Sequence, residues 1–124
     1  MKAESWFRME SITERKSFDF AVRIVKLYDF LKNRKKEFII SKQLLRSGTS
    51  IGANVSEAEQ AQSRADFISK LSIALKEAHE TKYWLRLLSE TGFLDRKQSD
   101  SILSDCSEIE KILVSILNTS KSKI

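Results

Sequence analysis

The stretch Gln43-Leu44-Leu45-Arg46-Ser47-Gly48-Thr49-Ser50-Ile51-Gly52-Ala53-Asn54-Val55-Ser56-Glu57-Ala58 decides how the rest of the chain is read. Ile40, Leu44, Ile51, Val55 and Ala58 recur at helical steps of three and four, so the segment reads as one amphipathic helix. It nevertheless contains two glycines, each worth ~1 kcal/mol less than alanine in a helix interior. Gly48 and Gly52 are four residues apart and share one side of the helix. Glycines at that spacing point to close approach by a second backbone.

A polar stripe borders the apolar one. Gln43, Arg46, Ser47, Ser50, Asn54 and Glu57 fall along the same flank at ~100° per residue. The stripe is either a solvated flank or a hydrogen-bond network that fixes the register between helices. The second reading places Gln43, Ser50, Asn54, Glu57 and, from the third helix, Glu77 in a structural network. It expects Asn54 and Glu57 to be at least partly buried and bonded to another helix, because such networks are tolerated only when satisfied.

The same residues carry a resemblance. Gln43, Leu44, Arg46, Ser50, Ile51, Asn54 and Glu57 follow the pattern of bacterial four-helix-bundle proteins known as 23S rRNA intervening-sequence proteins. The likeness continues through Asp66-Phe67, Ala74, Glu77, Leu88 and Gly92-Phe93-Leu94, and covers roughly residues 18–117. One departure is Glu57-Ala58, where many relatives have Glu-Gly. The resemblance implies ring-like homo-oligomers, often pentamers. It also implies a nucleic-acid context: family genes lie inside insertions of ribosomal RNA genes, and distant relatives are variability-determinant accessory proteins of retroelement reverse transcriptases.

Composition agrees with an all-helical domain. The 124 residues contain no proline and three glycines, and 41% are hydrophobic. This favours one domain of long helices joined by short turns. Hydrophobic periodicity places helices at roughly 12–32, 36–60, 63–91 and 96–118. Ser11 with Glu14 suggests a capping box for the first, Ser63 an N-cap for the third, and Asp95 or Ser99 the start of the fourth. Gly92 reads as a C′ glycine. Short connections make neighbours antiparallel, so the expected fold is an up-down-up-down, left-handed four-helix bundle. The first helix is apolar on two sides: Phe18, Ala21, Val22, Val25 and Leu31 form one set, and Phe20, Ile24, Leu27 and Phe30 another. Ile73, Trp84 and Leu87 give the third helix an extra apolar side beside Glu77 and Glu80. Two-sided helices in so small a bundle suggest self-association.

No apolar run reaches the ~18 residues of a membrane span, and the first residues lack the apolar stretch of a secretory signal. The single cysteine, Cys106, lies in register with Ile102, Ile109, Leu113 and Ile116 and reads as a core residue. A reducing, cytoplasmic setting is the default. No catalytic group, metal site or cofactor motif is expected. One histidine, His79, cannot complete the paired Glu-x-x-His motifs of a di-metal bundle, and the glycines lack the phosphate-loop lysine.

The net charge is +5 and the pI about 9.4. Lys32, Arg34, Lys35 and Lys36 surround the first turn, Arg15 and Lys16 open the first helix, and Lys121 and Lys123 lie in the tail. These are either solvated surface or a patch for RNA or DNA phosphates. The candidate nucleic-acid contacts are Arg15, Lys16, Arg34, Lys35, Lys36 and Arg46. The leading expectation is a non-enzymatic oligomer that binds nucleic-acid backbone. The alternative is a protein-interaction scaffold, for a polymerase-type partner, without direct nucleic-acid contact.

Overall fold

The computed structural model describes residues 2–122, with side chains from Ile12 onward. It is an all-α four-helix bundle: α1 (Lys2–Asn33), α2 (Ile40–Ala58), α3 (Arg64–Glu90) and α4 (Arg96–Lys121). Each helix packs on its neighbours in the chain, and α1 closes against α4. That pairing is consistent with up-down-up-down order.

The helix ends differ from the sequence reading for identifiable reasons. The first helix begins at Lys2 rather than near residue 12, since Lys2 to Glu10 contains no proline or glycine to stop it. The side chain of Ser11 lies outside the described set. The second helix begins at Ile40 rather than Lys36. Lys36 has φ +56°, and the Glu37 carboxylate takes the first amides of α2. Its Oε2 accepts from Ile39 N at 3.2 Å and Ile40 N at 3.0 Å, its Oε1 accepts from Ser41 N at 2.6 Å, and the Ser41 hydroxyl donates to Glu37 O at 2.8 Å. The fourth helix continues to Lys121, past the end expected near residue 118. Leu117 and Ser120 are buried there, and the Ser120 hydroxyl donates to Ile116 O at 2.8 Å. Lys123 lies outside the described residues.

The other ends follow the expected chemistry. Ser63 accepts from Asp66 N at 3.0 Å. Asp95 and Gln98 form a reciprocal capping box. Gly92 sits at φ +84°, with Gly92 N donating to Ser89 O at 3.1 Å and Phe93 N to Leu88 O at 2.9 Å. That bond pair is a Schellman ending, which needs the left-handed conformation glycine adopts freely.

The core is built from apolar stripes at helical steps of three and four. Phe67, Leu71, Ala74, Ala78, Thr81, Leu85 and Leu88 of α3 are all buried, as are Ile102, Cys106, Ile109, Leu113 and Ile116 of α4. Of the two α1 sets, Phe20, Ile24 and Leu31 face inward, whereas Phe18, Val22 and Val25 lie outside. Thr13 and Ser17 complete the inner side.

The two α2 glycines explain that choice. A Cβ on Gly48 would lie 2.8 Å from both Cγ1 and Cγ2 of Ile24, and one on Gly52 would lie 3.2 Å from the backbone oxygen of Ser17. The first helix therefore crosses the second where side chains are missing: the expected backbone approach occurs at Gly52, whereas Gly48 receives the Ile24 side chain. The seam between α1 and α4 is held differently, by Lys16 on Glu108 at 3.1 Å and Arg23 on Asp105 at 2.5 Å.

Candidate nucleic-acid interface

The basic residues singled out in the sequence do not form one patch. Arg34, Lys35 and Lys36 are all exposed in the α1–α2 turn. Arg15 is exposed on α1. At 1.5 Å rise per residue it stands about 28 Å along that helix from Arg34. Lys16 beside it is bound to Glu108. Arg46 lies on neither group. Its guanidinium grips Glu77 at 3.2 and 3.3 Å and also bonds Glu80. Glu80 in turn accepts from Trp84 Nε1 at 3.0 Å. The hydrogen bonds to Glu80 and then Glu77 raise the Arg46 pKa further, and Arg46 and Trp84 hold Glu80 below the usual carboxylate range. This cluster pins α2 to α3, and Arg46 has little charge left for an outside anion.

The polar stripe divides in the same way. Beneath the Arg46 cluster, the Thr81 hydroxyl donates to Ser47 Oγ at 2.9 Å, and both residues are fully buried. That pair is the interhelical polar contact of the α2–α3 core. The half-buried Ser50 and Asn54 turn back on their own helix: Ser50 Oγ donates to Arg46 O at 2.6 Å and Asn54 Nδ2 to Ser50 O at 2.8 Å. Glu57 is exposed and reaches α3 through Lys70 at 3.1 Å. Gln43 is exposed. Glu77 is the member of the expected network that joins two helices from a half-buried position.

A second charged cluster went unread in the sequence. Glu110 is buried on α4, with Lys82 Nζ at 2.6 Å from Oε1 and His79 Nδ1 against Oε2. Its place four after Cys106 and three before Leu113 was the signal that it lies on the inner stripe. Cys106 itself is fully buried, its thiol directed at Ala78 O at 3.4 Å. Burial, with the Glu110 charge nearby, pushes that thiol up to about 12, which leaves no thiolate for chemistry.

No group of three or more His, Cys, Asp or Glu that could hold a metal occurs among the described residues. The open polar cleft at the α3–α4 turn is lined by Arg86 and Arg96, but Glu90 and Asp100 share it. That mixture does not make an anion site.

The α1–α2 turn is different. From Lys32 to Lys42 the sequence has one acid, Glu37, and that carboxylate is buried beneath the start of α2. Burial alone would raise it. The amides of Ile40, Ser41 and Ile39, with the Ser41 hydroxyl, outweigh burial and hold it below its ordinary value. Lys32, Arg34, Lys35, Lys36 and Lys42 are exposed, and none is in an ion pair among the described residues. Lys42 escaped the sequence reading because it belongs to the next helix. Phe38 and Ile39 escaped it too: they read as the apolar start of α2, yet they are 50% and 78% exposed.

Fold and turn together define a four-helix-bundle protein with a cationic α1–α2 turn. The chain belongs to the 23S rRNA-intervening sequence protein family, which it matches over residues 9–115. It is similar to a protein of unknown function from the S23 ribosomal protein family of Bacteroides thetaiotaomicron, known from a 1.70 Å crystal structure. The two are 62% identical, the match covers 89% of this chain and 98% of that one, and the TM-score is 0.88. No functionally curated protein matches the chain. No helix among the described residues is long and apolar enough to cross a membrane.

Proposed function

We propose that this protein is a non-enzymatic, self-associating bundle that holds RNA or DNA by the phosphate backbone. The observation that carries the reading is the α1–α2 turn, where five exposed cations stand between Lys32 and Lys42 with the one acid of that stretch, Glu37, buried. The family's name, taken from an insertion in ribosomal RNA, favours RNA as the polyanion. The exposed cations of the turn address phosphates, so binding is steeply salt-dependent and weakly sequence-specific. Arg34, Lys35 and Lys36 are the principal contacts. Arg15, Lys16 and Arg46 contribute less, because two of them are ion-paired and Arg15 is remote.

Reversing Lys35 and Lys36 to Glu is expected to weaken binding to all sequences alike and to reduce the salt slope by ~2, about one for each lysine. A salt-titrated anisotropy assay with structured RNA and duplex DNA measures both. If the unaltered protein binds neither at ~50 mM salt, the phosphate reading fails and the scaffold reading, with a polymerase-type partner, replaces it.

Self-association rests on a separate observation. Phe18, Val22 and Val25 are exposed along one side of α1, with Ile73 and Tyr83 exposed on α3. Apolar stripes of this kind mark contact surfaces. Light scattering at micromolar concentration is expected to give a multiple of 14.3 kDa. A monomer would remove the oligomer and with it the avidity expected from several weak turns.

A further inference from the structure

The α1–α2 turn combines three properties that phosphate binding alone does not need. Its apolar tip is outward: Phe38 is 50% and Ile39 78% exposed. Its cations sit close to aromatic rings, Lys35 Nζ lying 5.9 Å from the Phe30 centroid and Lys32 Nζ 5.9 Å from that of Tyr28. And the turn is tied down. Arg34 N donates to Phe30 O at 2.8 Å, Glu37 N to Leu31 O at 2.9 Å, and the Glu37 carboxylate holds the amides of Ile39, Ile40 and Ser41 where the next helix starts. Phe38 is therefore presented by a preorganised backbone and needs little further ordering to bind.

A double helix shows such a tip only phosphates, because its base faces are stacked away. An unpaired strand offers phosphates and base faces together, and aromatic rings beside cations suit that combination. We propose that the α1–α2 turn selects single-stranded over duplex nucleic acid, with an unpaired base stacking on Phe38 while Lys32, Arg34, Lys35, Lys36 and Lys42 hold the flanking phosphates. The inference rests on the nucleic-acid reading above and deepens it.

The test compares a labelled, unstructured oligonucleotide with a duplex of equal length, at matched salt. Phe38→Ala is expected to weaken single-strand binding by about 5- to 100-fold, the range of one base–aromatic stack, and to leave duplex binding nearly unchanged. Phe38→Trp is expected to restore it. Phe38 is half exposed, and a thermal melt of each variant checks that the bundle is intact. Three results overturn the inference. If Phe38→Ala leaves the single-strand to duplex ratio unchanged while Lys35→Glu with Lys36→Glu weakens both, selectivity falls and phosphate binding stands. If neither probe binds the unaltered protein, both readings fall. If Phe38→Ala abolishes sedimentation with phosphatidylserine vesicles but leaves both probes bound as before, the tip belongs to an anionic membrane surface.

Discussion

Gly48→Val should lower stability by about 3 kcal/mol, the upper part of the range for overpacked cores. The added atoms would start 2.8 Å from two carbons of Ile24, which is fully buried and branched at that point. Gly48→Ala should show the same conflict at smaller size, since overpacking of ~1–3 kcal/mol is offset in part by ~1 kcal/mol of helix propensity. The informative measurement is a double-mutant cycle by urea denaturation at fixed protein concentration. Ile24→Ala removes both contacting carbons, so in that background Gly48→Ala should become neutral or stabilising. Were Gly48→Ala to raise the denaturation midpoint of the otherwise unaltered protein, the close crossing of α1 over α2 would not be what requires glycine there.

Glu37→Ala should cost about 2–3 kcal/mol, because three amides at the start of α2 lose a charged acceptor and the Ser41 amide is buried. The effect carries a pH signature. The Glu37 carboxyl sits below its ordinary value of 4.5 in the folded protein, so the unfolded chain takes up its proton first. Its stabilising contribution is whole above the unfolded value and is lost as pH falls through the lowered folded one. Glu37→Gln keeps the shape but not the charge, so the stability gap between it and the unaltered protein should be constant near neutrality and close below about pH 4.5. A gap that persists unchanged into strong acid would mean that the charge is not what caps the helix. The same variants bear on the turn's function. With no cap, Phe38 and the lysines would lose the fixed backbone that presents them.

The bundle was readable because its helices obey one period over long stretches. The α3 series from Phe67 to Leu88 and the α4 series from Ile102 to Ile116 are the buried residues of those helices. The orientation of α1 was not readable from α1. Phe18 and Phe20 are equally apolar, and the α1 residues that fit against the α2 glycines, Ser17 and Ile24, are identified only by contacts with a different helix. The start of α2 was hidden because Glu is not among the usual N-cap residues. The Glu37 carboxylate reaches the amides from two residues ahead of Ile39, directly after Lys36 takes a left-handed backbone. The basic turn was visible as charge, but its character was not. That depends on where Glu37 points and on Phe38 and Ile39 standing clear of the core, facts that appear only once the chain has folded. The polar stripe was visible as a stripe, yet its buried crossing bond joins Ser47 to Thr81, a residue that reads as an ordinary step of the α3 apolar series.

Cys106 gives the molecule a built-in clock. An alkylating reagent needs thiolate and access, and the folded chain offers neither, with the side chain fully buried and its pKa near 12. Modification must then wait for α3 and α4 to part, and with only one cysteine in the chain the signal comes from one place. Its rate reads the opening of the bundle directly. It can be followed on the purified protein by the mass that the reagent adds. A slower clock at higher protein concentration would time how far subunit association keeps each copy closed.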